Sequence, residues 1–132
     1  MRLNDYFCCH LNDLTVALGC YSHLNILFYI PDDITLENNS ISGTIPTEIG
    51  HLTLLTILYI SRNRLDGMIP SEIGMLAKAT SLTLHFNDLT GQIPSEIGGV
   101  MPLRILSASG NQLSGTIPSE LGMLSKLGEY TT

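Results

Sequence analysis

At 132 residues the chain has length for one domain. It carries 12 acidic residues against 6 basic ones, a net charge of −6, with 14% charged residues and a mean hydropathy of +0.25. So apolar a composition excludes a disordered chain, and the negative balance argues against nucleic acid or an anionic membrane surface as partner.

The first thirty residues follow no regular period. A helix is predicted over residues 5–18, with Asn4 as cap, Leu11, Leu14 and Leu18 on one face, and Gly19 as the stop. Leu24, Ile26, Phe28 and Ile30 then alternate as a strand does. This stretch is too short for the ~18–20 apolar residues of a membrane span. Arg2 is a lone charge, and His10, Asn12 and Asp13 interrupt any apolar run, so no signal peptide is expected here. If the protein works outside the cell, its start is expected to be missing. Cys8, Cys9 and Cys20 are odd in number and irregularly spaced; they make neither a disulfide framework nor a zinc motif, and are read as ordinary cysteines. Residues 1–30 are expected to form a degenerate N-terminal capping segment. Residues 31–132 are expected to form a repeat array of four 24-residue coils plus a truncated fifth.

Asn39, Asn63, Asn87 and Asn111 stand 24 residues apart. Four residues after each comes a glycine: Gly43, Gly67, Gly91 or Gly115. An Ile-Pro pair follows (Ile45-Pro46, Ile69-Pro70, Ile93-Pro94, Ile117-Pro118). Next come a glutamate (Glu48, Glu72, Glu96, Glu120) and a second glycine (Gly50, Gly74, Gly98, Gly122). A fixed period of about 20–50 residues marks a solenoid, in which one coil cannot bury its apolar face alone. Around Asn63 the apolar positions are Leu55, Leu58, Ile60 and Leu65. Around Asn87 they are Ala79, Leu82, Leu84 and Leu89, and around Asn111 they are Leu103, Leu106, Ala108 and Leu113. The first coil offers Ile34, Leu36 and Ile41.

The in-out alternation predicts short parallel strands near residues 34–36, 58–60, 82–84 and 106–108, stacked at ~4.8 Å. The asparagine amides are expected to form a buried ladder that satisfies backbone groups where each coil turns. Gly67 and its equivalents permit a turn that a Cβ would obstruct. Pro70 ends the extended segment, Ser71 is placed to cap a helical turn, and Gly74 to close it; Thr47, Ser95 and Ser119 read alike. The recurrent glutamate falls in the first turn of each such helix, where backbone N–H groups attract it, which outweighs a reading as a cation site. Leu124 and Leu127 open a fifth coil, with strand positions at Tyr130 and Thr132. The last complete coil is therefore expected to expose Leu113, Ile117, Leu121 and Leu124, and to self-associate or melt from that end.

The pattern L-x-x-L-x-I-x-x-N-x-L resembles the leucine-rich repeat family, and its continuation L-x-G-x-I-P-x-E-I-G-x-L resembles the plant-type subclass. Leu65 to Leu76 carry that continuation in full, and the likeness runs from about Ile34 to Leu127. It implies an α/β repeat solenoid: a right-handed superhelix with a short-strand parallel sheet on the concave face and short helical turns on the convex face. The resemblance extends to ectodomains of plant receptor-like kinases and to polygalacturonase-inhibitor-like proteins. It implies a non-enzymatic module that binds a protein, peptide or cell-wall glycan on the concave face. The setting implied is extracellular or cell-surface, as part of a longer protein, with the cytoplasm as the alternative.

No catalytic, cofactor or metal signature stands beside this reading. His10, His23, His51 and His85 fall at unrelated repeat positions, and the glycines form no phosphate loop. Asn38-Asn39-Ser40 is a glycosylation sequon that overlaps the ladder. The outward residues that depart from small polar types are Ile57, Tyr59, Arg62, Arg64, Phe86 and Ile105. With Thr83 and His85 they make the expected ligand surface, centred on Tyr59 and Phe86, since aromatics and arginines favour binding hot spots. The competing reading is that Phe86 or Ile57 folds back on a neighbouring coil. A second function class, a structural surface such as an ice-binding face, needs a regular threonine column, and Thr44, Met68, Gln92 and Thr116 are too mixed for one.

Overall fold

The computed structural model describes residues 32–132. The helix and strand expected within residues 1–30, and with them the capping segment, lie outside the described residues.

Among the described residues nine short strands follow in chain order: β1 (Asp33–Thr35), β2 (Ser42–Thr44), β3 (Ile57–Tyr59), β4 (Arg64–Asp66), β5 (Ser81–Thr83), β6 (Thr90–Gly91), β7 (Ile105–Ser107), β8 (Gln112–Leu113) and β9 (Glu129–Thr131). The odd-numbered strands make one five-stranded parallel sheet in the order β1-β3-β5-β7-β9. Its register steps by one repeat, so Ile34, Leu58, Leu82, Leu106 and Tyr130 lie side by side. On the flank, β2 pairs with β4 and β6 with β8, again parallel. The opposite side of each coil is a single 3-10 turn: Thr47–His51, Ser71–Met75, Ser95–Gly99 and Ser119–Met123.

Each coil encloses its own apolar ring. In coil two Leu55, Leu58, Ile60, Leu65, Ile69, Ile73 and Leu76 are all buried, and they join the rings of the neighbouring coils in one core. The turn is 3-10 because its bonds run from i to i+3: Ile73 N–H donates to the Pro70 carbonyl at 3.1 Å and Leu76 N–H to Ile73 at 3.2 Å.

Several local expectations are corrected. Pairing begins one residue earlier than the alternation suggested, although Ile60 N–H still donates to the Thr83 carbonyl at 3.0 Å. Ser71 does not cap. Pro70 holds the cap position in extended conformation, and the Ser71 hydroxyl donates to the Glu72 carboxylate at 3.2 Å. The same pair recurs as Thr47 with Glu48, Ser95 with Glu96 and Ser119 with Glu120, each at 3.3 Å. Gly74 does not close its turn through a left-handed backbone. It is small because a Cβ there would meet the Glu96 carbonyl carbon of the next coil at 2.7 Å. Gly67, by contrast, has φ of +69° and serves the turn as expected.

The asparagine ladder forms, but its burial is uneven. The Asn87 amide oxygen accepts the Leu65 N–H at 3.0 Å, and its nitrogen donates to the Leu84 carbonyl at 3.0 Å and the Ile60 carbonyl at 3.1 Å. Asn63 and Asn111 make the equivalent bridges between coils. Asn87 is buried, Asn63 and Asn111 are half-buried, and Asn39 is exposed, bonding only its own coil among the described residues. At the far end Leu121 and Leu124 are buried, contrary to expectation, because they join the common core and Leu127 and Tyr130 of the next coil pack against it. Leu113 is half-buried, and Ile117 is 60% exposed.

Candidate functional site

The concave sheet arranges outward side chains in columns, one residue per coil, because parallel pairing in a constant register repeats each position. One column reads Asp33, Ile57, Ser81, Ile105 and Glu129; the next reads Thr35, Tyr59, Thr83, Ser107 and Thr131. Ile57, Tyr59, Thr83 and Ile105 are half-buried. Ser81 is buried between two isoleucines of its column, and its hydroxyl has no hydrogen-bond partner among the described residues.

A third column lies just before the ladder: Asn38, Arg62, Phe86 and Gly110. All four have left-handed backbone, with φ of 55°, 56°, 53° and 66°. A left-handed conformation is costly for a residue as bulky as Phe86. Its side chain leans toward the next coil, where the ring occupies the space a Cβ on Gly110 would need; that Cβ would stand 2.8 Å from the ring Cε1 atom. Phe86 nonetheless stays 53% exposed. The Arg62 guanidinium lies 5.2 Å from the ring centroid, a cation–π contact. His85 meets the same ring edge-on, with centroids 5.4 Å apart.

Two polar links cross the coils beside this ridge. The Glu37 carboxylate accepts from the Ser61 hydroxyl at 2.6 Å and from the Thr83 hydroxyl, two coils away, at 3.4 Å. Ser107 Oγ lies 3.2 Å from His85 Nδ1 and 2.8 Å from Thr131 Oγ1. The face thus offers a hydroxyl and carboxylate floor beside an arginine-capped aromatic ring. Among the described residues no group of His, Cys, Asp and Glu could hold a metal ion, and no helix is long and apolar enough to cross a membrane.

Of the eight residues expected to form the surface, seven share this face. Arg62, His85 and Phe86 touch one another, while Ile57, Tyr59, Thr83 and Ile105 belong to the strand columns. Arg64 is the exception: it sits in β4, in the flanking sheet opposite Ser42. The reason is the turn at Arg62 and Asn63, which carries the chain off the concave sheet. Gly110 was missed as a partner of the surface, and so was the reach of outward-facing Glu37 across two coils. The signal for Gly110 was in the chain, a glycine breaking the column beside a phenylalanine; the two-coil reach of Glu37 had none.

The Leucine Rich Repeat family pattern matches residues 22–52, 54–76, 78–100 and 102–124. No curated protein matches the chain. Among solved structures, the plant peptide hormone receptor RGFR1 in complex with RGF2 is 41% identical, with a TM-score of 0.71, over 75% of this chain and 17% of that one. The PEPR1–AtPEP1 structure is 33% identical, TM-score 0.71, over 72% of this chain and 13% of that one. The BIR2 ectodomain from Arabidopsis thaliana is 36% identical, TM-score 0.70, over 73% of this chain and 50% of that one. The chain therefore spans 13% to 50% of the length of these solved chains. With four in-register repeats, a parallel strand face backed by 3-10 turns, and this family match, the chain belongs to the leucine-rich repeat family, with repeats of the plant type.

Proposed function

We propose that the chain is a non-enzymatic recognition module that binds a peptide or protein segment along its concave face, within a longer receptor-like protein that acts at the cell surface. The observation that carries this is the Arg62–Phe86 stack. A ring 53% exposed, held in a costly backbone conformation, supports a guanidinium that has no carboxylate partner among the described residues. Stacking on the ring leaves the guanidinium edge free for hydrogen bonds to a ligand carboxylate or carbonyl. Tyr59 and Thr83, one column over, offer an amphipathic contact and a hydroxyl to an extended backbone. The structures of RGFR1 with RGF2 and of HAESA with the peptide hormone IDA, 41% and 32% identical to this chain, favour a peptide over a glycan.

A random peptide library displayed on phage and selected against the folded chain tests this. Selected peptides should lose binding to the Tyr59→Ala/Phe86→Ala variant, whose circular dichroism should match the parent. They should still bind Glu72→Ala/Glu96→Ala on the turn side. The opposite pattern of loss would place the site on the turn side and overturn the proposal.

A further inference from the structure

The chain holds a single Asn-x-Ser/Thr sequon, Asn38-Asn39-Ser40, at the head of the left-handed column that continues through Arg62, Phe86 and Gly110. Its two asparagines do different work. Asn39 is the ladder residue, with its amide nitrogen donating to the Leu36 and Glu37 carbonyls at 3.0 Å each. Asn38 is anchored through its backbone, where its N–H donates to the Ser61 carbonyl at 3.2 Å. Its side-chain amide is exposed and makes no hydrogen bond among the described residues, and Ser40 is exposed as well. A φ of 55° suits asparagine, which tolerates the left-handed region better than most residues. Arg62 and Phe86 show where side chains of this column go, which is across the surface toward the following coil.

We infer that Asn38 is an N-glycosylation site whose first sugars border the concave face beside Arg62. The inference rests on the cell-surface reading, since the modification needs passage through the secretory pathway. The donor is a lipid-diphosphate-linked oligosaccharide. A bond forms between Asn38 Nδ2 and the anomeric carbon, the anomeric carbon–oxygen bond to the diphosphate breaks, the lipid diphosphate leaves, and Nδ2 gives up one proton. Glycosylation at Asn39 would break the ladder contacts of coil one, whereas at Asn38 it displaces no hydrogen bond among the described residues. The glycan would then fence the coil-one end of the ridge, leaving Phe86 and the coils beyond it open to ligand.

The test is to secrete the full chain from cultured human cells behind a cleavable leader and map its peptides. The expected result is oligosaccharide on Asn38, with aspartate at position 38 after peptide:N-glycanase treatment. Ser40→Ala should abolish the modification with unchanged circular dichroism, because it leaves Asn38 and its backbone in place. Ser40→Thr should keep or raise occupancy. A folded, secreted chain with unmodified Asn38, or a glycan that persists in Ser40→Ala, would overturn the inference. Because the leader imposes secretion, a bare Asn38 counts against the site and not against the cell-surface reading. That reading fails separately, if the chain's own full-length protein never leaves the cytoplasm.

Discussion

Asn87 ties three backbone groups of two coils together from inside the core. Removing its amide leaves buried N–H and C=O groups without partners, so Asn87→Ala should lower stability by about 1–3 kcal/mol. Asn39→Ala, which frees only groups of its own exposed coil, should cost less than about 1 kcal/mol. Urea melts of the two variants check this, and equal losses would remove the argument from burial. Ser81 presents the reverse case. Its hydroxyl is buried between Ile57 and Ile105 without a partner among the described residues, so Ser81→Ala should leave stability unchanged or raise it by up to about 1 kcal/mol. A clear loss would reveal a partner for that hydroxyl. The 24-residue spacing made the ladder legible, because the same amide is needed at the same turn in every coil. It did not reveal that Ser81 is shut in, because burial there depends on isoleucines two coils apart.

Within each helical turn the two small residues carry unequal weight. Ser71 bonds only the adjacent Glu72 at the surface, so Ser71→Ala should change stability by no more than about 0.5 kcal/mol. Gly74→Ala would push a Cβ against the backbone of the next turn at Glu96, which cannot swing aside as a side chain can, and should cost about 1–3 kcal/mol. Thermal melts of the pair decide between this account and a capping role for the serine. The final strand, β9, puts Tyr130 where the preceding strands put leucine or isoleucine. Burial pushes its phenol above the ordinary value, outweighing a smaller opposing effect of Thr132. Burial favours the protonated form, so this group's contribution is in place below its unfolded value of 10.0 and is lost as pH rises through the higher folded value. Tyr130→Phe should remove that alkaline loss in a melting-temperature series around pH 10 and above. An unchanged alkaline slope would assign the loss to another group.

Across the whole stack, each coil packs on its neighbours, and among the described residues the 3.4 Å Thr83–Glu37 bond is the one side-chain hydrogen bond that reaches two coils, so stability is close to a sum of coil and interface terms. Coils two and three have apolar neighbours on both sides and the buried Asn87 between them. Coil four holds half-buried Leu113 and the exposed Ile117. Hydrogen exchange should therefore be slowest at Leu58, Leu65 and Leu82 and faster at Leu106 and Leu113. We propose further that Ile117 and its surroundings draw copies of the chain together at high concentration. Ile117→Lys should then lower the weight-average mass measured by sedimentation, with little change in fold. Uniform exchange through all four coils in a monomeric sample would overturn both statements.

The recurrence of asparagine, glycine and Ile-Pro determined the fold by itself, since a repeat that cannot bury its own apolar face has to stack on the next. It also set which strand positions alternate away from the core, because alternation along a strand fixes side-chain direction locally, but not which of them stay open, since Ser81 and Ser107 are buried. Tertiary structure alone decided which outward residues meet. The pairing register brings Arg62, Phe86 and Gly110, each one repeat apart, into a single ridge, while the turn at Asn63 carries Arg64 away to the flanking sheet. The glycines of the helical turns show the same division: their position was written in the chain, but the need for them arises only when the backbone of the next coil comes to rest against them.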